Sequence, residues 1–272
     1  MKMKWIGKCY LMGLLIVLYL PIFYLMFYSF NREGNMIHFG GFTLEHYVTL
    51  FNNTRLLEVV FNTIAVALMA AALSTLIGLF GALMLYQIRN QSLKISFLTL
   101  NNVLMVSSDV VIGASFLIMF TAIGHVTGFG LGFTSVLISH IAFCIPIVVI
   151  VILPKLYEMN ESILDAGRDL GASDYQVLSR IVIPQLMPGI IGGFFMALTY
   201  SLDDFTVSFF VTGNGFSVLS VEVYSMARRG ISMEINAIST LLFLLIMFGL
   251  ALYQWLKQRN KRIVEHKRGM TL

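Results

Sequence analysis

From Val110 to Pro154 the chain carries no Lys, Arg, Asp or Glu. Drawn out as one helix at about 1.5 Å per residue, that run would measure about 70 Å, more than twice the roughly 30 Å hydrocarbon core of a bilayer. It must turn back on itself, and Gly124, Gly128, Gly130 and Gly132 mark where. Other uncharged stretches, bounded by Lys8 and Arg32, by Glu58 and Arg89, and by Arg180 and Asp203, are each long enough for one crossing. The chain reads as an all-α integral membrane protein of six spans, at 9–30, 60–86, 98–120, 133–153, 186–210 and 236–256. Residues 1–272 are expected to form a single transmembrane domain. Composition agrees: mean hydropathy is +0.84 and only 12% of residues are charged, against about 25% in soluble domains.

The first span follows Lys2, Lys4 and Lys8, as a secretory signal would. Its apolar run exceeds the usual 7–15 residues and no A-x-A cleavage site follows, so an uncleaved helix is expected. Of the 18 Lys and Arg residues, six spans leave only Arg32, Arg55, Arg228 and Arg229 outside. Positive residues concentrate on the cytosolic side, which places both termini in the cytosol. The net charge of +4 is thus set by topology and does not imply a nucleic-acid partner. Cys9 and Cys144 would lie at different depths, so no disulfide is expected.

Asp109, Asp203 and Asp204 fall inside hydrophobic spans that hold no Lys or Arg. A carboxylate at the bilayer centre costs about 2.5–3.5 kcal/mol, so three facing lipid would cost on the order of 7–10 kcal/mol. Such groups face a bundle interior, a partner or a wet cavity. With no basic neighbour in their own spans, the natural counter-ion is a cationic solute in transit. Asp109 is expected at the centre of the third span, with Asp203 within about 8 Å of the centre of the fifth. Asp203 and Asp204, adjacent on one helix, would point about 100° apart, so at most one faces the solute fully. Tyr200, Phe205 and Tyr224 are aromatic candidates for the same path, since ring faces attract ammonium by about 0.5–2 kcal/mol. Interfacial aromatics are common regardless. Glu222 is a candidate for the entrance, although Arg228 and Arg229 are near enough in sequence to neutralise it.

The outer segment 31–59 contains a short amphipathic stretch after Gly41-Phe42-Thr43, with Thr43 as cap and Leu44, Tyr47, Val48 and Phe51 along one side. It suits a helix on the membrane surface or bundle, or a docking surface for an external partner. The inner segment between spans four and five carries stronger signals. Asn160 can cap one helix, Gly171 can stop it, Ser173 with Gln176 forms a capping box for a second, and Pro184 and Pro188 are expected to close that one. Two short helices joined by a tight turn result. They are tethered at both ends to spans and are not basic, which excludes DNA binding.

This segment resembles the cytosolic signature of ATP-binding-cassette importer permeases: Glu-Ala-Ala, three residues, Gly, nine residues, Ile, one residue, Leu-Pro. Here the spacing gives Asp165-Ala166-Gly167, Gly171, Ile181 and Ile183-Pro184. Asp replaces Glu, Gly replaces the second Ala and Ile replaces Leu, which keeps charge sign, small size and apolar character. In that family the loop docks into a groove on the ATPase subunit, so the resemblance implies a coupling surface here. Ser108-Asp109-Val110-Val111, Ser201-Leu202-Asp203-Asp204-Phe205, Phe210-Val211-Thr212-Gly213 and Asn236-Ala237 narrow it. They resemble the second permease subunit of bacterial spermidine/putrescine importers, as does Gly41-Phe42-Thr43 with Tyr47. The resemblance implies an inner-membrane subunit working with a second permease, two ATPase subunits and a periplasmic or lipid-anchored solute-binding protein.

The sequence holds no G-x-x-x-x-G-K-[ST] loop. ATP and magnesium are therefore expected on a separate ATPase chain, with no cofactor on this one and no enzymatic role of its own. His140 and Cys144 are spaced i, i+4 but lack further ligands in the span, so a structural role is expected in place of a metal site. Gly189 with Gly193, and Gly78 with Gly81, suit close helix packing. Two other readings remain open at this point: an importer permease for another solute such as ferric ion or thiamine, and a cation-coupled secondary transporter.

Overall fold

The computed structural model describes residues 2–34, 36–229, 233–241, 243, 244, 247, 248 and 255, with side chains from residue 7 onward. Among the described residues the regular secondary structure is helical, with one isolated bridge between Asn31 and Phe42. The chain divides into two compact units, one of residues 1–57 with 223–272 and one of residues 58–222.

In the first unit, α1 (Lys2–Tyr28) leads into a loop and then α2 (Glu45–Asn52). The loop is held by one buried side chain. Asn31 donates through Nδ2 to the His38 carbonyl at 2.7 Å and accepts from the Gly40 N–H at 2.9 Å. His46 Nε2 lies 2.8 Å from the Asn31 carbonyl, and Tyr47 bonds Ser29 at 2.7 Å. Phe27 stacks on Phe39 with ring centroids 4.7 Å apart, and Phe42 meets Phe39 edge-on at 5.0 Å. Thr43 accepts from the Glu45 N–H at 3.1 Å, at the entry to α2, but the N-cap position falls on Leu44, which makes no side-chain cap bond. Residues 233–241 are helical, with Met233, Ala237 and Ile238 buried. Most of the rest of the expected sixth span lies outside the described residues.

The second unit holds α3 (Thr54–Gln87, continued from the first), α4 (Gln91–Val106), α5 (Asp109–Thr127), α6 (Phe133–Tyr157), α7 (Glu161–Asp169), α8 (Asp174–Val177), α9 (Ile183–Asp203) and α10 (Thr206–Val211), and most of α11 (Leu219–Arg229) falls outside it. Most of its core is apolar. Val66, Ala71 and Ala82 of α3, Val136, Cys144, Val148 and Ile152 of α6, Leu186 and Ala197 of α9, and Val207 and Val211 of α10 are all buried. Helix α6 is the centre, packing on α4, α9 and α10, while α5 packs on α10. A glycine makes the closest approach possible. A Cβ on Gly78 would fall 2.6 Å from Val148 Cγ1, and one on Gly193 3.3 Å from the same atom, whereas Gly81 has ordinary space.

Five helical stretches among the described residues are long and apolar enough to cross a membrane: Gly7–Tyr28, Thr54–Gln87, Asp109–Thr127, Phe133–Tyr157 and Asp174–Asp203. Two expectations are corrected. The third span is not one helix over 98–120, because the chain leaves helix at Ser107 and Ser108, between α4 and α5. The fifth does not run unbroken over 186–210, because helix ends at Asp203 and resumes at Thr206. A third correction concerns Pro184 and Pro188. They do not close the second short helix. A π-helical turn, Leu178–Val182, carries α8 directly into α9, so helix continues from Asp174 to Asp203. Widened turns of this kind let a helix pass a residue that its regular ladder cannot accept.

Candidate functional site

The two helix breaks meet. Asp109 stands in the first turn of α5, Asp203 is the last residue of α9, and both line one cavity of about 150 Å³ with Ile112, Phe143, Tyr200, Asp204, Phe205, Thr206 and Val207. Asp109 is therefore not at the middle of a continuous helix, and Asp203 and Asp204 do not share one. Asp109 and Asp203 are exposed, and the Tyr200 hydroxyl is a neighbour of the Asp109 carboxylate. The Tyr200 ring meets Phe143 edge-on, with centroids 5.2 Å apart. At each break the last carbonyls of α4 and α9 lack intrahelical donors, and a helix C-terminus carries partial negative charge. Carboxylates and aromatic faces together make a lining suited to ammonium groups.

Asp204 is placed differently. Its Oδ1 accepts from the Val207 N–H at 3.1 Å, and its Oδ2 accepts from the Ser208 N–H and the Ser208 hydroxyl, both at 2.8 Å. It thus caps α10, whose first N–H groups have no intrahelical partner. Ser220 adds a bond to the Asp204 carbonyl at 2.7 Å. Buried His140 reaches the same place from α6, with Nδ1 2.7 Å from Ser201 Oγ, and Nε2 2.9 Å from Ser208 Oγ and 3.4 Å from Asp204 Oδ2. Cys144 donates weakly to the Ala197 carbonyl at 3.5 Å. The described residues hold no group of three or more metal-ligating side chains.

Of the seven residues expected along the path, Asp109, Tyr200, Asp203, Asp204 and Phe205 line this cavity. Glu222 is buried on α11 and is not part of the lining. Tyr224 belongs to the other unit, where Arg228 sits over its ring at 5.8 Å. Sequence reasoning missed Phe143 and Ile112 as lining, and the serines that hold Asp204. The spacing of Asp204 and Ser208 was the available signal, since Asp just before a helix caps it.

At the other end of this unit α7 is the expected first short helix, while α8 is the opening turn of the long helix that continues to Asp203. Asn160 accepts from the Ser162 N–H at 3.1 Å. The Gly171 N–H reaches the Arg168 carbonyl at 2.8 Å and the Ala172 N–H reaches Gly167 at 3.1 Å, with Gly171 at φ +82°. That pair of bonds is a Schellman stop. Ser173 and Gln176 bond each other's backbone at 2.9 and 3.4 Å, completing the capping box. Arg168 lies 3.6 Å from both Asp165 and Asp174 on the exposed side. On the inner side Ile181 presses on Gly167, where a Cβ would fall 2.6 Å from Ile181 Cδ1. Ala166 precedes that contact on α7, and Ile183 and Pro184 open α9. A cavity of about 570 Å³ lies where these helices meet α3 and α6, lined in part by Leu83, Tyr86, Leu156, Leu164 and Tyr175.

Comparison with known proteins gives this architecture a family. The spermidine/putrescine transport system permease protein PotC of Escherichia coli K12 is 38% identical over 228 residues, 84% of each chain. The protein of the same name from Haemophilus influenzae is 33% identical over 243 residues, covering 89% of this chain and 93% of that one. The putrescine transport system permease protein PotI of E. coli K12 is 33% identical over 227 residues, 83% of this chain and 81% of its own. Among solved structures, a bacterial ABC transporter involved in the import of the acidic polysaccharide alginate superimposes with a TM-score of 0.74 at 17% identity, covering 93% of this chain and 94% of that one. The MetNI methionine ABC transporter gives 0.61 at 15% identity, over 72% of this chain and 91% of that one. These two likenesses carry the fold alone. A family model described as binding-protein-dependent transport system inner membrane component matches residues 74–262, and the chain belongs to that family.

Proposed function

We propose that this chain is one permease subunit of an ATP-driven importer and forms, with a second permease, the path by which spermidine or putrescine crosses the bacterial inner membrane. The observation that carries this is the pairing of two things. The chain is 38% identical to a spermidine/putrescine permease, and its intramembrane cavity is lined by Asp109 and Asp203 at two helix breaks. A polyamine has two or more ammonium groups, and spaced carboxylates complement it better than one. Tyr200, Phe143 and Phe205 supply aromatic walls that attract ammonium weakly enough to permit release. The chain transports and does no bond chemistry.

Residues 1–272 act as one permease domain of six spans, with both termini in the cytosol and α7, the Gly171 turn and α8 as the surface that engages the ATPase. Asp165, Ala166, Gly167, Gly171, Ile181, Ile183 and Pro184 belong to that surface or hold its shape. ATP and magnesium bind the two ATPase subunits and no cofactor binds here. Closure of the ATPases on ATP drives the coupling helices and switches the permease pair between inward- and outward-facing states. A solute-binding protein delivers cargo from outside. Dependence on a binding protein, which the family description states, sets aside a self-sufficient cation-coupled carrier.

The test is ATP-dependent uptake of labelled spermidine and putrescine by the reconstituted complex, challenged with unlabelled solutes. Competition by polyamines alone is expected. Competition by ferric ion or thiamine, with none by polyamines, would overturn the cargo assignment and leave the importer. Orientation is checked with single cysteines at Asn35 and Glu265. An impermeant reagent applied to intact cells should label position 35, and labelling of position 265 would reverse the topology.

A further inference from the structure

We propose that His140 is a positioning residue that keeps the Asp204 carboxylate turned onto the start of α10, so that the cavity presents the two exposed carboxylates of Asp109 and Asp203 to cargo in place of three. The inference concerns a side chain that the path does not use. His140 projects from α6 and is almost wholly buried. Its ring bridges the break in the fifth span from outside it: Nδ1 meets Ser201 on α9 and Nε2 meets Ser208 on α10.

Proton counting fixes how the ring is used. The Ser208 hydroxyl has one proton, and it points to Asp204 Oδ2, 2.8 Å away, because an ionised carboxylate only accepts. Ser208 Oγ must therefore accept from His140, so Nε2 carries the ring proton. That proton is shared with Asp204 Oδ2 at 3.4 Å. Nδ1 holds the Ser201 hydroxyl at 2.7 Å. The ring thus ties both serines together and, through Nε2, adds a fourth donor around the Asp204 carboxylate. The side chain of Asp204 is only 9% exposed as a result, although it forms part of the cavity wall. Asp203, one residue earlier, meets none of these donors and is exposed.

The consequence is a specific division of labour between adjacent aspartates. Without the ring, Ser201 and Ser208 lose their common partner and the Asp204 carboxylate loses one of its four donors, so Oδ2 spends a larger share of its time turned toward the cavity. A third free carboxylate grips a multivalent cation more tightly and releases it more slowly. The role in transport rests on the proposed cation path; the placement of Asp204 does not. The two are therefore tested separately.

Placement is read by carbodiimide coupling of a small amine to accessible carboxylates in the assembled complex, located by mass spectrometry. The wild type should couple at Asp203 and not at Asp204. His140→Ala should raise coupling at Asp204 relative to Asp203 by about fivefold, the weight of one hydrogen bond. His140→Gln, which keeps a donor and an acceptor, should stay near the wild type. Should His140→Ala fail to assemble, Ser201→Ala, which removes one anchor of the ring, must show the same change in smaller degree. Coupling at Asp204 in the wild type, or none in either variant, overturns the proposal. Transport is read as KM and maximal polyamine uptake per assembled complex. His140→Ala should lower both, and the double variant His140→Ala/Asp204→Asn should restore KM. A purely structural histidine would lower assembly and leave KM unmoved, and the second change would restore nothing. A wild-type complex that carries no polyamine would sink the cargo assignment while leaving the coupling result to decide the placement.

Discussion

The two helix breaks that frame the cavity carry the same sequence signature, an aspartate where helix begins, and are built in opposite ways. At the α4–α5 break, Ser108 makes no side-chain capping bond, Ser107 turns back to the Val103 carbonyl at 2.7 Å, and Asp109 is exposed. At the α9–α10 break, Asp204 is surrounded by the Val207 and Ser208 N–H groups, the Ser208 hydroxyl and His140. One break is left open and the other is bolted. An acid at a helix start is stabilised by the helix dipole in either case. What separates a structural acid from one available to cargo is whether its oxygens are already taken.

The largest expected difference is in assembly. Asp204→Ala strands three donors and should cost about 3 kcal/mol, enough to reduce the yield of assembled complex sharply. Asp109→Ala, at the open break, should leave the yield near that of the wild type. Equal losses, measured by co-purification from matched expression, would break the comparison. The next effect lies away from both breaks and serves as a contrast. Gly171 has φ +82° and open space around it, so Gly171→Leu should strain the turn by about 1–3 kcal/mol without a clash. The complex should insert but retain less ATPase in a pull-down. Normal retention with normal transport would remove the coupling role of this turn. The smallest effects sharpen the comparison. Ser208→Ala should cost about 1 kcal/mol of stability and Ser107→Ala no more than about 0.5 kcal/mol, as read from denaturant midpoints of the purified complex.

Much of this was legible in the chain itself. Uncharged runs located the helices, and local chemistry located the caps of α7 and α8 down to Asn160, Gly171 and the Ser173–Gln176 box. Such features depend on neighbours in sequence, which is why they read well. The breaks did not read well, because Ser107-Ser108 and Asp204-Phe205 sit in apolar surroundings where hydropathy shows one continuous span. The partner that settles the role of Asp204 comes from α6, 64 residues upstream, and no local pattern discloses it. The prolines misled for a related reason: Pro184 signals a stop, but the π turn Leu178–Val182 ahead of it lets helix continue.

The central claim is that Asp109 and Asp203 contact the cargo while Asp204 holds the fold. It is tested most directly by polyamine uptake normalised to assembled complex for Asp109→Asn, Asp203→Asn and Asp204→Asn. Each replacement keeps the shape and removes the charge. A carboxylate–ammonium contact is worth about 1.5–3 kcal/mol, so the first two variants should lose roughly ten- to a hundredfold in uptake at limiting cargo. Asp204→Asn should assemble less well yet transport near the wild-type rate per complex. Unchanged normalised uptake for both Asp109→Asn and Asp203→Asn would contradict the cation path, whatever became of the third.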